Sequence, residues 1–190
     1  MRIMIPFASA CALLTVGYAA ESADTYQIDP SHTFPSFEIN HMGLSTYRGR
    51  FDRTSGTITL DLAKKTGSAD VTIDVDSIST GGEKLDTRLK EADFFDAATY
   101  PKITFKSSLF KFEGDKLVAM TGDLTMRGVT RPVTLTIDSF ICKPHPFMKV
   151  PACGADASVR IRRTDWSIGK YPPEIVGEEV TLRIQIEAHQ

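Results

Sequence analysis

The sequence predicts an all-β protein whose many short antiparallel strands form either a sandwich or a barrel. Two observations support this fold class. Apolar and polar residues alternate with a period of two along much of the chain, and glycine-containing turn signals separate these segments. A chain of 190 residues also suits one domain with a single core.

Four segments carry the clearest alternation. Their apolar positions are Ile58, Leu60 and Leu62 in GTITLDL, Val71, Ile73 and Val75 in DVTIDVD, Val133, Leu135 and Ile137 in PVTLTID, and Val180, Leu182, Ile184 and Ile186 in EVTLRIQIE. The intervening residues are mostly polar, which is typical of antiparallel strands with one solvated face. We expect turns at Ser55-Gly56 and Arg127-Gly128, because glycine permits a positive φ.

The segment TGGEKLDTRLKEADFFD interrupts the alternation and predicts a helix. Its apolar residues at spacings of three or four are Leu85, Leu89, Ala92 and Phe95. Thr80 and Glu83 fit a capping box, so we expect the helix to begin near Gly81. Such a helix either covers one end of a barrel or packs on the outside of a sandwich, and the pattern does not choose between these.

The first twenty residues have the layout of a signal peptide. Arg2 precedes an uncharged run, and Gly17-Tyr18-Ala19 has small residues where a signal peptidase needs them. A membrane anchor is an alternative, but polar residues and a proline dilute the run; lipidation at Cys11 is another. We expect residues 1–19 to be a cleaved signal peptide and residues 20–190 to be the exported β-domain.

Export changes the interpretation of the segment ICKPHPFMKVPACG. In an oxidising compartment Cys142 and Cys153 are expected to form a disulfide that closes this loop. A zinc site and a redox pair are the alternatives. Zinc needs four ligands, and Cys142, His145 and Cys153 lack the paired spacing of zinc modules. We therefore predict a structural disulfide and no metal.

Four motifs resemble, in the same order, those of the YceI-like, polyisoprenoid-binding family of exported bacterial proteins. They are IDPSHTFPSFEINHMGLSTYRGRF, SISTGGEKLDTRLKEADFFDAATYPKITFKSS, GDLTMRGVTRPVTL and RIRRTDWSIG. The resemblance implies a lipocalin-like antiparallel barrel of about eight strands, with a long apolar pocket for an isoprenoid or another long-chain amphiphile. Trp166 stands where we expect phenylalanine, which implies a narrower or differently shaped pocket there.

The candidate pocket residues follow from strand parity. Those expected to point inward are Phe37, Ile39, Leu60, Ile73, Phe105, Leu135, Ile161 and Leu182. Trp166 is added from the family motif, although its parity is opposite to that of Ile161. Both point inward only if a bulge or a strand end separates them. The alternative is that these residues simply fill a solid core.

Two histidines are candidate ligand contacts. His41 shares the strand parity of Phe37 and Ile39 and is expected to face inward, and His32 lies in the same segment. Ser31 beside His32 offers a nucleophile and a base, but neighbours on a strand point to opposite faces and are not expected to share a hydrogen bond. The G-x-S-x-G and H-E-x-x-H motifs are absent from the sequence, so we expect no enzyme.

Arg163 and Asp165 are the charged candidates. They are two residues apart and share one face of the predicted strand. One alternative is an ion-pair network, in which they pair with each other or with Asp86 and Arg88. The other is that they anchor a diphosphate or quinone head group.

Charge and composition exclude one class of function. The chain has 22 basic and 24 acidic residues without a basic stripe, so nucleic-acid binding is not expected. We expect a periplasmic binding or carrier protein for an isoprenoid lipid or isoprenoid quinone, without a cofactor and with transient membrane contact for cargo exchange. A homodimer is left open. The alternatives are a non-binding structural or stress-related barrel, and an uncharacterised hydrolase or isomerase.

Overall fold

The computed structural model describes residues 23–190, so the expected signal peptide lies outside the described residues. The strands are β1 (Asp24–Ile28), β2 (Phe34–His41), β3 (Ser45–Phe51), β4 (Thr54–Asp61), β5 (Thr66–Asp74), β6 (Ile78–Ser79), β7 (Lys102–Glu113), β8 (Lys116–Met126), β9 (Val129–Pro144), β10 (Pro151–Arg162) and β11 (Val176–His189). Helix α1 (Glu83–Leu89) and two 3₁₀ turns, Val75–Ser77 and Arg163–Trp166, accompany them.

Eight strands close into an antiparallel barrel in the order β1-β4-β5-β7-β8-β9-β10-β11, and β11 pairs with β1 to complete the circle. The predicted all-β barrel of about eight strands is therefore confirmed. β2 also pairs with β11, further toward the beginning of that strand, and β3 and β6 extend the sheet from β2. The wall is thus built by β1 near one end of the barrel and by β2 and β3 near the other.

Strand directions define two ends of the barrel. The helix end contains α1, the β2–β3 turn and the segment after β10; the packed end contains the β4–β5 and β7–β8 turns and the β9–β10 hairpin. Leu60 lies near the packed end opposite Gly67, where a Cβ atom would come within 2.7 Å of the Phe110 ring. Leu60, Phe110 and Leu117 are all buried. Side chains therefore fill the barrel at this end.

Two local predictions around β4 are wrong. The expected turn at Ser55-Gly56 lies inside the strand. Gly56 has φ +145°, and a Cβ atom there would lie 2.1 Å from the Asp70 carbonyl oxygen, so glycine permits a close approach of β5. Leu62 lies beyond the end of β4 and is 45% exposed. By contrast, Arg127-Gly128 forms the expected turn, with positive φ at both residues.

The predicted start of the helix is also wrong. α1 begins at Glu83 rather than near Gly81, and its N-terminus has no side-chain cap. Instead of forming a capping box, the amide and hydroxyl of Thr80 both donate to Asp86 Oδ1, at 2.7 and 2.6 Å. Asp86 thus ties β6 to the first turn of the helix. The helix ends at Leu89, which leaves Ala92 exposed rather than on an apolar helical face.

The β9–β10 hairpin carries the predicted disulfide. Cys142 and Cys153 lie opposite each other in the ladder and are bonded. The loop beyond them displays Phe147, which is 87% exposed. Among residues 23–190 we find no cluster of acidic, histidine or cysteine side chains that could hold a metal ion. Over the same residues, none of the helices has the length and apolar character needed to cross a membrane.

Candidate functional site

A cavity of about 580 Å³ occupies the barrel between the packed end and the helix end. Its walls come from the inward faces of the alternating strands. Of the apolar residues predicted to point inward, those that line it are Phe37, Ile39, Ile73, Phe105, Leu135, Ile161 and Leu182. The structure therefore brings together seven of the nine apolar candidates around one space.

Leu60 and Trp166 do not line this cavity. Leu60 has the correct parity but lies too far along β4, within the packed end. The strand end expected between Ile161 and Trp166 exists, because β10 ends at Arg162 and a 3₁₀ turn follows. That turn buries Trp166, which is 2% exposed, and its indole Nε1 donates to the Leu124 carbonyl at 3.2 Å. The indole supports the wall and does not itself narrow the cavity.

Helix α1 covers the barrel opening, as one of the two sequence alternatives requires. Leu85 and Leu89 of α1 line the cavity. Phe94 and Phe95, in the segment that follows, line it as well. The Phe95 ring meets Phe51 edge-on, with their centroids 5.6 Å apart. Strand parity did not identify Phe51, Phe94 or Phe95 as lining residues, because Phe51 ends its strand and the other two are in an irregular segment.

An apolar rim lies beside this cover. His41 lines the cavity, as predicted from its parity, and its ring stacks on Tyr47 with centroids 4.3 Å apart. The Met42 amide donates to the Ile175 carbonyl at 3.0 Å, which joins the β2–β3 turn to the segment before β11. Tyr47, Met42 and Ile175 line the cavity and are also exposed to solvent. At this rim, formed by His41, Met42, Tyr47 and Ile175, the cavity lining reaches the surface of the protein.

His32 does not reach the cavity. The segment between β1 and β2 is a turn, so the expectation that Ser31 and His32 point to opposite faces is wrong: Ser31 Oγ and His32 Nδ1 are 3.1 Å apart. The Ser31 hydroxyl donates to Asp29 Oδ1 at 2.6 Å, and His32 Nδ1 bonds Asp29 Oδ2 at 2.8 Å. These contacts, with the Ser31 bond as the larger cause, lower the pKa of Asp29 to about 2. Because both polar hydrogens point at the carboxylate, the imidazole is not placed as a base for the serine.

Arg163 lines the cavity but binds the protein's own backbone. Its guanidinium is buried and donates to four carbonyl oxygens. They belong to Ile168, Tyr171, Val176 and Gly177, at 2.6, 2.5, 2.8 and 2.9 Å. Within residues 23–190 Arg163 forms no ion pair, so the alternative in which it pairs with Asp165 or Asp86 is wrong. Arg88 pairs with Asp93 instead of Asp165, and Asp86 accepts from Thr80. Asp165 lies outside the cavity lining, and its backbone carbonyl accepts from Arg131.

The other two arginines in the lining are also bonded to protein groups. Arg88 forms a two-pronged bond with Asp93 at 2.8 and 2.6 Å, which lowers the pKa of that carboxyl well below its usual range. The Arg88 guanidinium lies 4.7 Å from the Phe94 ring centroid. Arg48 donates to Glu38 at 3.1 Å. Each cationic group at the cavity thus already has a protein partner.

Two buried threonines in the lining differ in their hydrogen bonds. Thr33 Oγ1 donates to the Glu187 carbonyl at 3.2 Å and accepts from the Glu187 amide at 3.1 Å. Thr54 is 3% exposed, yet its Oγ1 has no hydrogen-bond partner among the described residues. Thr33 is therefore part of the wall's bonding, whereas the Thr54 hydroxyl is left unpaired.

Comparison with known proteins identifies relatives of this chain. A family model described as the YceI-like domain matches residues 26–188. The chain is 42% identical to Protein YceI of Salmonella arizonae over 192 residues, which cover 98% of this chain and 97% of that protein.

Two solved structures share the fold of this chain. The crystal structure of Burkholderia cenocepacia BcnA has a TM-score of 0.73 and 27% identity, covering 84% of this chain and 98% of that one. A Saccharophagus degradans structure, described as a polyisoprenoid binding domain implicated in plant cell wall breakdown, has a TM-score of 0.64 at 18% identity. That match covers 86% of this chain and 97% of the other, and it shows the shared fold.

Proposed function

Because this chain belongs to the YceI-like family, we propose that it binds one long-chain amphiphile, an isoprenoid lipid or an isoprenoid quinone, inside the barrel. The observation that carries this proposal is the cavity of about 580 Å³ with an apolar lining. Burial of each methylene of a ligand contributes about 0.8 kcal/mol. A prenyl chain would therefore bind through apolar contact alone. The Saccharophagus domain described as polyisoprenoid binding supports the choice of cargo.

The proposed role is binding rather than catalysis. The cavity lining is mostly hydrocarbon, and its three arginines are held by backbone carbonyls or carboxylates. The Asp29, Ser31 and His32 cluster lies in a turn away from the cavity and has its hydroxyl hydrogen directed at the carboxylate. This arrangement supports a structural use of the cluster.

We place the protein in the periplasm and its cargo exchange at a membrane surface. The signal-peptide layout of the first residues and the disulfide between Cys142 and Cys153 support the location. For exchange, the rim of His41, Met42, Tyr47 and Ile175 joins the cavity to solvent, and Leu44 projects from the adjacent turn. Apolar side chains at this rim suit brief contact with lipid while a chain passes.

Native mass spectrometry of the protein purified from its own periplasm tests the function. The expected result is a protein with one co-purifying lipid, whose mass distinguishes an isoprenoid lipid from a quinone. A protein that arrives empty, and also refuses isoprenoid alcohols and quinones added in detergent, would overturn the proposal in favour of a non-binding barrel. The Leu135→Trp variant, which adds bulk inside the cavity, is the control for binding at this site.

A further inference from the structure

The loop of the β9–β10 hairpin exposes apolar side chains that the rest of the protein does not cover. Residues 145–150 lie beyond the last ladder pair, which joins Pro144 and Pro151. In this loop Phe147 is 87% exposed and Met148 is 48% exposed. Isolated apolar residues are common on a protein surface, whereas neighbouring ones at the end of a projection are typical of an interaction site.

This loop is held in one shape by bonds that leave its apolar side chains in solvent. The disulfide between Cys142 and Cys153 lies two ladder pairs before the loop. Within the loop, His145 Nδ1 accepts from the amides of Phe147 and Met148, at 3.3 and 3.1 Å. The backbone under the exposed ring is therefore already ordered, and a partner that receives the ring has little further ordering to impose.

The formal charges of the hairpin are all positive. Lys143 precedes the loop and Lys149 lies within it, and both are exposed. Residues 139–155 contain no aspartate or glutamate. The end of β11 lies beside the hairpin, where the Gln190 amide donates to the Pro151 carbonyl at 3.0 Å. In the described part of the chain neither lysine forms an ion pair with this terminus or with a carboxylate side chain.

An exposed ring flanked by two free ammonium groups matches the chemistry of an anionic lipid surface. At such a surface an aromatic ring enters the boundary between headgroups and acyl chains, and lysines stay beside the phosphates. A protein groove would have to offer an apolar pocket and acidic groups at matching positions. An anionic bilayer offers both over its whole surface.

We propose that Lys143, Phe147, Met148 and Lys149 form a docking tip for membranes rich in anionic phospholipid. The docking tip belongs to the packed end of the barrel, whereas the rim lies at the helix end. A barrel docked by the tip therefore directs its rim away from that bilayer, so the tip holds the protein at a surface and does not pass the cargo. This inference requires no ligand in the barrel and goes beyond the proposed function.

Cosedimentation with lipid vesicles tests the charges of the docking tip. At low ionic strength the wild type should bind phosphatidylglycerol vesicles about tenfold more tightly than phosphatidylcholine vesicles, and should lose this preference in about 0.5 M salt. The double variant Lys143→Gln, Lys149→Gln should bind both lipids equally weakly. Lys84→Gln, at an exposed position on α1, is the charge control and should behave as the wild type.

Phe147→Ser tests the ring. This variant should bind phosphatidylglycerol vesicles about tenfold more weakly than the wild type, because the serine buries no ring among the lipids. Leu109→Ser is the matched control: it removes an apolar side chain that is 64% exposed on β7, and it should leave vesicle binding unchanged. Both variants should keep the melting temperature of the wild type, because the substituted side chains are exposed.

Tryptophan fluorescence locates the contact. Trp166 is the only tryptophan of the sequence, and it is 2% exposed. Phe147→Trp adds a second indole at the docking tip. Phosphatidylglycerol with brominated acyl chains should quench the emission of this variant and leave that of the wild type unchanged. Equal quenching in both proteins, or none in the vesicle-bound variant, would overturn the insertion of the tip.

The binding results separate the docking tip from other lipid contacts. Wild-type protein that does not prefer phosphatidylglycerol vesicles would overturn the inference, and a lipid found in the barrel would then leave the carrier function standing. Vesicle binding that survives Phe147→Ser but is lost in Leu44→Ser would assign the contact to the turn beside the rim instead. Dimers that form without vesicles and disappear in Phe147→Ser, in a protein that ignores vesicles, would assign the ring to a second copy of the chain.

Discussion

Arg163 holds the segment between β10 and β11 in place. Its guanidinium is 4% exposed and bonds four backbone carbonyls of residues 168–177, a segment that also contributes Ile175 to the rim. Backbone carbonyls need hydrogen-bond donors. Ile168 and Tyr171 lie in irregular chain, and Val176 and Gly177 begin β11 where its ladder with β2 is irregular. The planar guanidinium therefore supplies the hydrogen bonds that a neighbouring strand would otherwise donate to these carbonyls.

Substitution of Arg163 by methionine should lower stability, whatever cargo is bound. The variant removes the donor from four carbonyls, of which that of Ile168 is buried and the other three are partly buried. A buried group left unsatisfied costs about 1–3 kcal/mol, so we expect a loss of about 3 kcal/mol in urea unfolding. Arg160→Met, at an exposed position on β10, is the control and should change stability little. Unchanged stability of Arg163→Met, together with a selective loss of diphosphate-bearing ligands, would instead assign Arg163 to a head group.

Asp29 gives a pH-dependent prediction at the same scale. Its pKa falls from 3.8 to about 2 in the folded protein, first because of the Ser31 hydroxyl and then because of His32. A carboxyl with a lowered folded pKa contributes stability that is complete above the unfolded value and is lost as the pH falls through the folded one. Asp29→Asn should therefore cost about 1.5 kcal/mol at pH 6, a low value for bonds to a charged group.

The difference in unfolding free energy between wild type and Asp29→Asn should become smaller as the pH falls from 4 to 2. Urea unfolding midpoints measured across this range test this. The pKa of His32 is raised, mainly by its bond to Asp29, so the imidazole's own contribution is present at low pH and is lost as the pH rises through that raised value. Asp24→Asn, an exposed carboxylate on β1, is the matched control. A constant difference down to pH 2 would contradict the assignment.

The β9–β10 hairpin shows what a covalent link does within one structural element. Cys142 and Cys153 are already opposite each other in a continuous ladder. The disulfide closes a loop beyond the packed end that projects Phe147 into solvent, and neither cysteine lines the cavity. It limits fraying of the hairpin and the freedom of the unfolded chain.

Replacement of both cysteines by serine should lower stability and spare binding. A closed loop of this length contributes up to about 3 kcal/mol in the chain-entropy account. We expect a lower melting temperature for the Cys142→Ser, Cys153→Ser variant and an unchanged affinity for a prenyl alcohol. Reduction of the wild-type protein with dithiothreitol should reproduce the shift. Bound zinc in the wild type that disappears in the variant would contradict a purely structural disulfide.

The sequence predicts the structure of some elements better than that of others. Alternation identified the inward face of β9 around Leu135, because β9 pairs regularly with β8 from Val129 to Thr136 and Leu135 has the polarity expected of a buried position. Alternation also assigned Leu60 to the pocket, although Leu60 lies in the packed end. Strand parity predicts which face of the sheet a residue occupies, but not its position along the barrel axis. It missed Thr54, whose polar side chain resembles those on solvated faces. The start of α1 was misjudged because Asp86, six residues later, takes the hydrogen bonds of Thr80.

At the scale of the whole molecule, the barrel is solid at one end and hollow at the other. The packed end has Leu60, Phe110 and Leu117 buried, and Gly67 there lets the Phe110 ring approach the sheet. Toward the helix end the side chains do not fill the barrel, and a cavity of about 580 Å³ remains between them. One part of each strand therefore contributes mainly to stability and another part mainly to binding. A bulky substitution should lower stability at the packed end and lower ligand affinity at the cavity.

Leu135→Trp and Leu60→Trp test this division directly. Leu135 lines the cavity, so an indole there has room: we expect a stability change below about 1 kcal/mol, against 1–3 kcal/mol for overpacking a filled core, and at least a tenfold loss of prenyl-alcohol affinity. Leu60 lies in the packed end, so its indole should cost that larger amount and leave affinity nearly intact where the variant stays folded. Urea unfolding and calorimetric titration measure both quantities. Strong destabilisation by Leu135→Trp, equal to that by Leu60→Trp, would mean that the barrel is filled along its whole length, because only a space that is empty without ligand can accept the larger side chain at small cost.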